Sequence, residues 1–166
     1  MSGPRRTVLV VEDGTEYTEA FRNLVANDSR DTLELLRAGD GEDARRILTE
    51  RRVDALFLDV VFDRTPPERL LGNLEDVIRR FGGDRGRAER HLAENQGFYL
   101  VNDLAPLLGE AVPIVLAYDF SLEPERLAAL RQTAGRLTGI ADGTPVSGVL
   151  DSLLAEVNNS AGGEGS

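Results

Sequence analysis

The chain contains no lysine and no cysteine, and histidine occurs once, at position 91. Without cysteine there can be no disulfide framework and no thiolate metal site, and a reducing compartment is weakly favoured. Without lysine, any mechanism that depends on a lysine ammonium is closed, because all 19 basic residues are arginine. No apolar run approaches the roughly 18 residues of a membrane span. The opening "MSGPRR" leads into only a short apolar stretch, which does not read as a signal peptide. These absences make the cytoplasm the expected location, with no membrane partner. Positive charge is also in deficit. A formal net charge of −10 argues against direct, sequence-independent nucleic-acid binding.

What remains is an ordinary soluble composition, 41% hydrophobic over 166 residues, enough for one domain with a sizeable core. Apolar β-branched runs alternate with amphipathic stretches. "TVLVV" (Thr7 to Val11), "TLELLRA" (Thr32 to Ala38), "DALFLD" (Asp54 to Asp59), "PIVLAYD" (Pro113 to Asp119) and the weaker "RLTGIA" (Arg136 to Ala141) read as five strands. Between them, Tyr17, Ala20, Phe21, Leu24 and Val25 share one helical face. Asp40 reads as the N-cap of a helix presenting Ala44, Ile47 and Leu48. Ser121 to Pro124 opens another helix, with Leu127 and Leu130 inward. Val146, Val149, Leu150, Leu153, Leu154 and Val157 define a last helix with Pro145 in its first turn. The tail at 158–166 is Gly/Ser-rich and is expected to be disordered. Strand and helix in alternation imply an α/β, doubly wound parallel sheet with helices on both faces. Ligand sites in such sheets lie beyond the carboxyl ends of the strands.

Glu12, Asp13, Asp59 and Asp119 all stand at predicted strand ends. An acid closing a strand as apolar as "ALFL" can simply begin a turn. Several acids from neighbouring strands at one edge raise each other's pKa unless a cation neutralises them. A hydrated Mg²⁺ does so with one or two carboxylates and backbone oxygen. Beside a nucleophilic aspartate it makes a phosphoryl-transfer site.

The motifs "VLVVED", "DALFLDV", "GFYLVNDL" and "VPIVLAYD" in this order resemble the receiver domains of bacterial response regulators in two-component phosphorelays, over roughly Arg6 to Val157. The resemblance implies a three-layer flavodoxin-like (βα)5 fold with strand order 2-1-3-4-5. It implies Asp59 as phosphoacceptor and Mg²⁺ bound by Glu12, Asp13, Asp59 and the backbone carbonyl of Val61. The implied partners are a histidine kinase or phosphotransfer protein, and a downstream signalling protein that reads the phosphorylated state. The implied activity is at most self-catalysed phosphoryl transfer and autodephosphorylation. A homodimer through the last helix is left open.

The chain departs from the family at two switch positions. Tyr118 stands where receivers carry Ser or Thr, and Thr144 stands where they carry Lys. These departures keep a second reading open, a phosphorylation-independent pseudo-receiver acting as a signalling protein-interaction module. A haloacid-dehalogenase-like phosphatase would need a second Asp two residues after Asp59, where Val61 stands, and a Toprim-type nuclease site would need an Asp-x-Asp after a strand, which does not occur.

Gly97 follows Asp59 by 38 residues, far more than in receivers, which points to an insertion of about 64–95 inside one domain covering 1–157. Thr65-Pro66-Pro67-Glu68 reads as a capping box for a helix carrying Leu70, Leu71, Leu74, Val77, Ile78 and Phe81. "RAERHLAE" begins a second helix that runs toward "GFYLVNDL". The insertion is expected to cover the acidic site or dock a partner. Arg64, Arg69, Arg85, Arg87 and Arg90 are candidates to face a phosphate in place of the missing lysine. His91 is expected to be an exposed helical residue.

Overall fold

A computed structural model describes residues 5–27 and 33–163, with the side chains of the last helix described through Asn159. Five parallel strands form one sheet in the order β2-β1-β3-β4-β5. They are β1 (Arg6–Val11), β2 (Leu33–Ala38), β3 (Ala55–Leu58), β4 (Ile114–Leu116) and β5 (Leu137–Thr138). Thr32, expected to open the second strand, lies outside the described residues. Among the described residues the α-helices, in chain order, are α1 (Glu16–Asn27), α2 (Gly41–Glu50), α3 (Leu74–Arg80), α4 (Arg85–Glu94), α5 (Gln96–Leu104), α6 (Pro124–Leu130) and α7 (Val146–Gly163). This is the flavodoxin-like topology expected from the sequence. Among the described residues no helix is long and apolar enough to cross a membrane.

The side-chain alternation of a strand divides the core into two layers. Val8, Val10, Phe57 and Val115 face Phe21 of α1 and Val149, Leu150 and Leu153 of α7. Leu9, Val11, Leu56, Leu58 and Leu116 face Ala44 of α2, Leu100 and Leu104 of α5 and Leu130 of α6. Both sheet faces are covered, which is why the central strands are apolar without interruption.

Several local readings change in the structure. β4 stops at Leu116 and β5 spans only two residues; single backbone bonds run on from Ala117 N–H to the Leu58 carbonyl and from Ile140 N–H to the Tyr118 carbonyl, and beyond them Asp119 accepts from Ser121 N–H and Asp142 N–H. The tail expected to be disordered from residue 158 is helical to Gly163, since extending an established helix past its last buried residue, Val157, costs little. Asp40 does cap α2, accepting a bond from Asp43 N–H.

The segment between β3 and α5 folds differently from its sequence pattern. Thr65 caps nothing. Pro67–Arg69 form a single 3-10 turn, and Leu70 and Leu71 leave it as extended chain. Gly72 takes a φ of 108°, and α3 starts afresh at Asn73, whose side chain accepts from Asp76 N–H. Gly82 and Gly83, both left-handed, turn the chain into α4, capped by Asp84. Val77, Ala88 and Leu92 form a third, small core with Leu70, Leu74, Ile78, Phe81 and Tyr99 packed around them. His91 is half-buried and its ring lies 5.4 Å from that of Phe81, so it belongs to this core's margin and not to an exposed face.

Gln96 fastens the segment to the domain. It is only 2% exposed. Its Oε1 accepts from Leu71 N–H at 2.9 Å, and its Nε2 donates to the carbonyls of Leu71 at 2.8 Å and Leu92 at 3.0 Å. A Gln96→Leu substitution strips these backbone groups of their partner, the Leu92 carbonyl in a buried place and the Leu71 groups in a partly buried one. We expect it to cost about 2–3 kcal/mol, read by denaturant unfolding, with hydrogen exchange at Leu71 accelerating first.

Candidate functional site

The carboxyl ends of β1 and β3 build the site. Asp59 N–H donates to the Val11 carbonyl at 3.0 Å, which registers the two strand ends side by side. Arg37, near the end of β2, holds the loop after β1 from behind. Its guanidinium donates to the carbonyls of Gly14 at 2.6 Å, Asp13 at 3.1 Å and Glu12 at 3.2 Å. A charged residue inside the apolar "LELLRA" was the only sequence signal for this role, and it became readable only once the strand neighbours were known.

The result is an open cavity of about 240 Å³ lined by Glu12, Asp13, Glu16, Asp59, Asp63 and Arg64, with Tyr17 and Val61 completing the wall. Glu16, Tyr17 and Asp63 were not anticipated as members. Glu12 is a special case. It is 1% exposed, and both its oxygens are engaged, Oε1 by Tyr17 N–H at 3.0 Å and Oε2 by Thr18 N–H and the Thr18 hydroxyl, each at 2.7 Å. Its carboxylate satisfies the N-terminal amides of α1, as an acid at that end of a helix dipole does. Asp13 has Oδ2 bonded to Arg64 N–H at 2.7 Å. Asp59 has Oδ1 bonded to Val60 N–H at 2.8 Å. Burial pushes the Asp59 carboxyl up to about 6 against that bond, and the negative charges of Asp13, Glu12 and Glu16 add to the rise. The Tyr17 phenol is raised too, by burial and then by the charges of Asp59 and Glu12.

No group of three or more His, Asp, Glu or Cys side chains among the described residues is arranged as a metal cage. The donors fit a cation that keeps most of its water. Asp13 and Asp59 each bring a second carboxylate oxygen with no hydrogen bond among the described residues, beside the backbone at Val61, and their mutual repulsion is what a divalent cation relieves. Mg²⁺ suits that set. Glu12 would contribute charge from behind it, its oxygens being already used.

The other singled-out residues lie elsewhere. The Tyr118 hydroxyl donates to Glu123, and its ring packs edge-on against Phe98 and Phe120 at 5.0 and 4.9 Å. Arg126 stacks 3.6 Å over the centre of Phe98. Thr144 donates its hydroxyl to the Ala141 carbonyl at 2.6 Å. Asp119 stays outside the acid cluster, its carboxyl held low by the amides of Asp142 and Ser121. Of the five candidate arginines, only Arg64 lines the cavity. Arg69 pairs with Asp40 at 2.5 Å and Glu42 at 3.3 Å, pinning the 3-10 turn to the start of α2. Arg85 pairs with Glu89 at 3.1 Å along α4. Arg87 lies 4.9 Å over Phe81, and Arg90 is exposed on α4. The helical segment therefore reaches the acids through backbone. Phe62 N–H donates to the Ala93 carbonyl at 2.7 Å and Gly97 N–H to the Val60 carbonyl at 3.1 Å.

A doubly wound sheet with its acids at the β1 and β3 ends defines the class of protein. Among solved structures the likeness is to receiver domains. The signal receiver domain of an HD domain-containing protein from Pseudomonas fluorescens matches with a TM-score of 0.60 and 15% identity, over 99% of this chain and 95% of that one. A two-component response regulator from Clostridium difficile matches at 0.59 and 12%, over 98% and 100%. The signal receiver domain of a signal transduction histidine kinase from Syntrophus aciditrophicus matches at 0.57 and 15%, over 93% and 91%. No protein-family model and no curated protein matches the sequence. The chain has the receiver fold.

Proposed function

We propose that this chain is a receiver module of two-component signalling in which Asp59 accepts a phosphoryl group and a partner protein reads the result. The observation that carries this reading is the convergence of Asp13 and Asp59 on one open acidic cavity at the carboxyl edge of the sheet. Asp13, Asp59 and the Val61 carbonyl would hold Mg²⁺. When bound, the ion offsets negative charge on the acceptor and on the phosphoryl oxygens. An Asp59 carboxylate oxygen attacks phosphorus in a phosphohistidine or acyl phosphate. The new O–P bond forms as the donor's N–P or O–P bond breaks, and the donor leaves with the electron pair. Val60 N–H already orients the Asp59 carboxylate through Oδ1. The phosphodonor would be a histidine kinase or a phosphotransfer protein.

Incubation with acetyl phosphate and Mg²⁺ is expected to add one phosphoryl mass to the wild type and none to Asp59→Asn. Intact-mass spectrometry reads this directly, and an unlabelled wild type overturns the reading.

The second reading, a binding module that works without phosphorylation, is favoured by the commitments of Tyr118 to Glu123 and Thr144 to Ala141. Neither hydroxyl lines the acid cavity. If Asp59→Asn binds the physiological partner as the wild type does, that reading holds.

A further inference from the structure

We propose that Arg64 is the cation that meets the phosphoryl group on Asp59, giving up its present partner Glu16 for a phosphoryl oxygen. The inference rests on Asp59 being the acceptor. The cavity is lined by five acids, and among the residues lining it Arg64 is the one base. A phosphoryl group there adds up to about two further negative charges. One divalent ion cannot balance that alone.

Two other arginines are committed elsewhere. Arg37 spends its guanidinium on three carbonyls of the β1–α1 loop. Arg126 is stacked on Phe98. Thr144 offers only a hydroxyl, already bonded to Ala141.

Arg64 is held in two unequal ways. Its main-chain N–H is fixed to Asp13 Oδ2 at 2.7 Å, which sets its Cα at the cavity rim. Its side chain is held by Glu16 at 2.7 Å, with the two side chains 62% and 64% exposed. An exposed pair of this kind is weak and exchanges readily. The pair lies across Gly14, where a Cβ would collide with both side-chain tips, so the glycine leaves the path clear. The planar fork of guanidinium suits phosphoryl oxygens. Arg64→Ala removes the fork and keeps the main-chain bond to Asp13, so the rim is left in place.

The test is a pair of affinities measured by amide NMR titration, for Mg²⁺ alone and then for beryllofluoride with Mg²⁺ present. The variants are Arg64→Ala, Arg64→Lys, Glu16→Gln and Asp59→Asn. Arg64→Ala is expected to bind Mg²⁺ at least as tightly as the wild type, because a positive charge beside the site is gone. It is expected to bind beryllofluoride about tenfold more weakly, the loss of one charge-assisted contact. Arg64→Lys recovers part of the loss. Glu16→Gln, which releases Arg64, binds beryllofluoride more tightly. The Arg64 Nε–Hε resonance moves on beryllofluoride addition and not in Asp59→Asn. Equal beryllofluoride affinity in wild type and Arg64→Ala overturns the inference while leaving the acceptor intact. A parallel loss of Mg²⁺ and beryllofluoride overturns it as well, since that marks damage to the site's structure. A wild type that binds no beryllofluoride removes the acceptor reading and this inference together.

Discussion

Gly97→Ala is expected to destabilise the domain by about 1–3 kcal/mol, the usual cost of overpacking a close contact. A Cβ at Gly97 would stand 2.7 Å from the Asp59 carbonyl oxygen, 2.8 Å from Val60 Cα and 2.9 Å from a Leu116 methyl. Two of these atoms are backbone, so no rotamer change relieves the clash. The end of β3 or the start of α5 has to move. Alanine gains about 1 kcal/mol of helix propensity over glycine, and the clash must exceed that gain. Gly86→Ala in α4 is the control. Its Cβ would meet only Asp84 Oδ1, at an ordinary 3.6 Å, so there the propensity gain stands alone and the sign reverses. Chemical denaturation of the two variants side by side decides the point. A Gly97→Ala protein as stable as the wild type would mean that α5 does not press on the end of β3. If α5 does press there, NMR resonances of Val60 and Asp59 should shift in Gly97→Ala and stay in place in Gly86→Ala.

Asp59→Asn is expected to stabilise the metal-free protein, with a gain that grows with pH. The Asp59 carboxyl is raised from its ordinary value of 3.8 to about 6 in the folded chain, first by burial and then by its acidic neighbours. The folded state therefore holds that proton more tightly than the unfolded chain does. The stability linked to this group is fully present below pH 3.8 and is lost as pH rises through 6. Asparagine carries no such charge. The wild-type deficit should open between about pH 4 and 6 and level off above, at about 1–2 kcal/mol after discounting for partial solvation. Urea unfolding from pH 4 to 7.5 in the presence of a chelator measures it. Asp119 and Asp40, whose pKa values are lowered, act in the opposite direction, so the difference between the two proteins is the meaningful quantity. Mg²⁺ should narrow the gap at neutral pH, because a bound cation favours the ionised carboxylate. A gap that does not vary with pH would mean that Asp59 is not under charge stress.

Both predictions concern one junction, where the strand end that carries Asp59 meets the helical segment. Backbone bonds join the two at Phe62 to Ala93 and Gly97 to Val60. Movement at Asp59 would thus be passed to α4 and α5 through main chain. Tyr118 is turned toward Glu123, Phe98 and Phe120, and Thr144 is tied back on its own turn.

The linear pattern determined whatever depends on period and on strong local chemistry. Continuous apolar runs at Val8–Val11 and Ala55–Leu58 had to be buried strands, and their alternation with amphipathic stretches left little choice but a parallel sheet with two covered faces. Asp40 capped its helix because the competing groups are within three residues. Asp13 and Asp59 could be placed at one edge because strand polarity in such a sheet carries both to the same end. Tertiary structure decided everything that required choosing among equivalent residues. Five arginines were candidates, and which one lines the acids depended on where the chain runs after β3. That put Arg64 over Gly14 and sent Arg69 to Asp40. Glu12 turned its carboxylate to the first amides of α1, because buried N–H groups there have no other acceptor. The capping box at Thr65 yielded to Asn73, because Gln96 holds Leu71 extended from across the fold. At Thr65 a local capping preference of about 1 kcal/mol was overruled by the larger cost of leaving the polar groups around Gln96 unpaired.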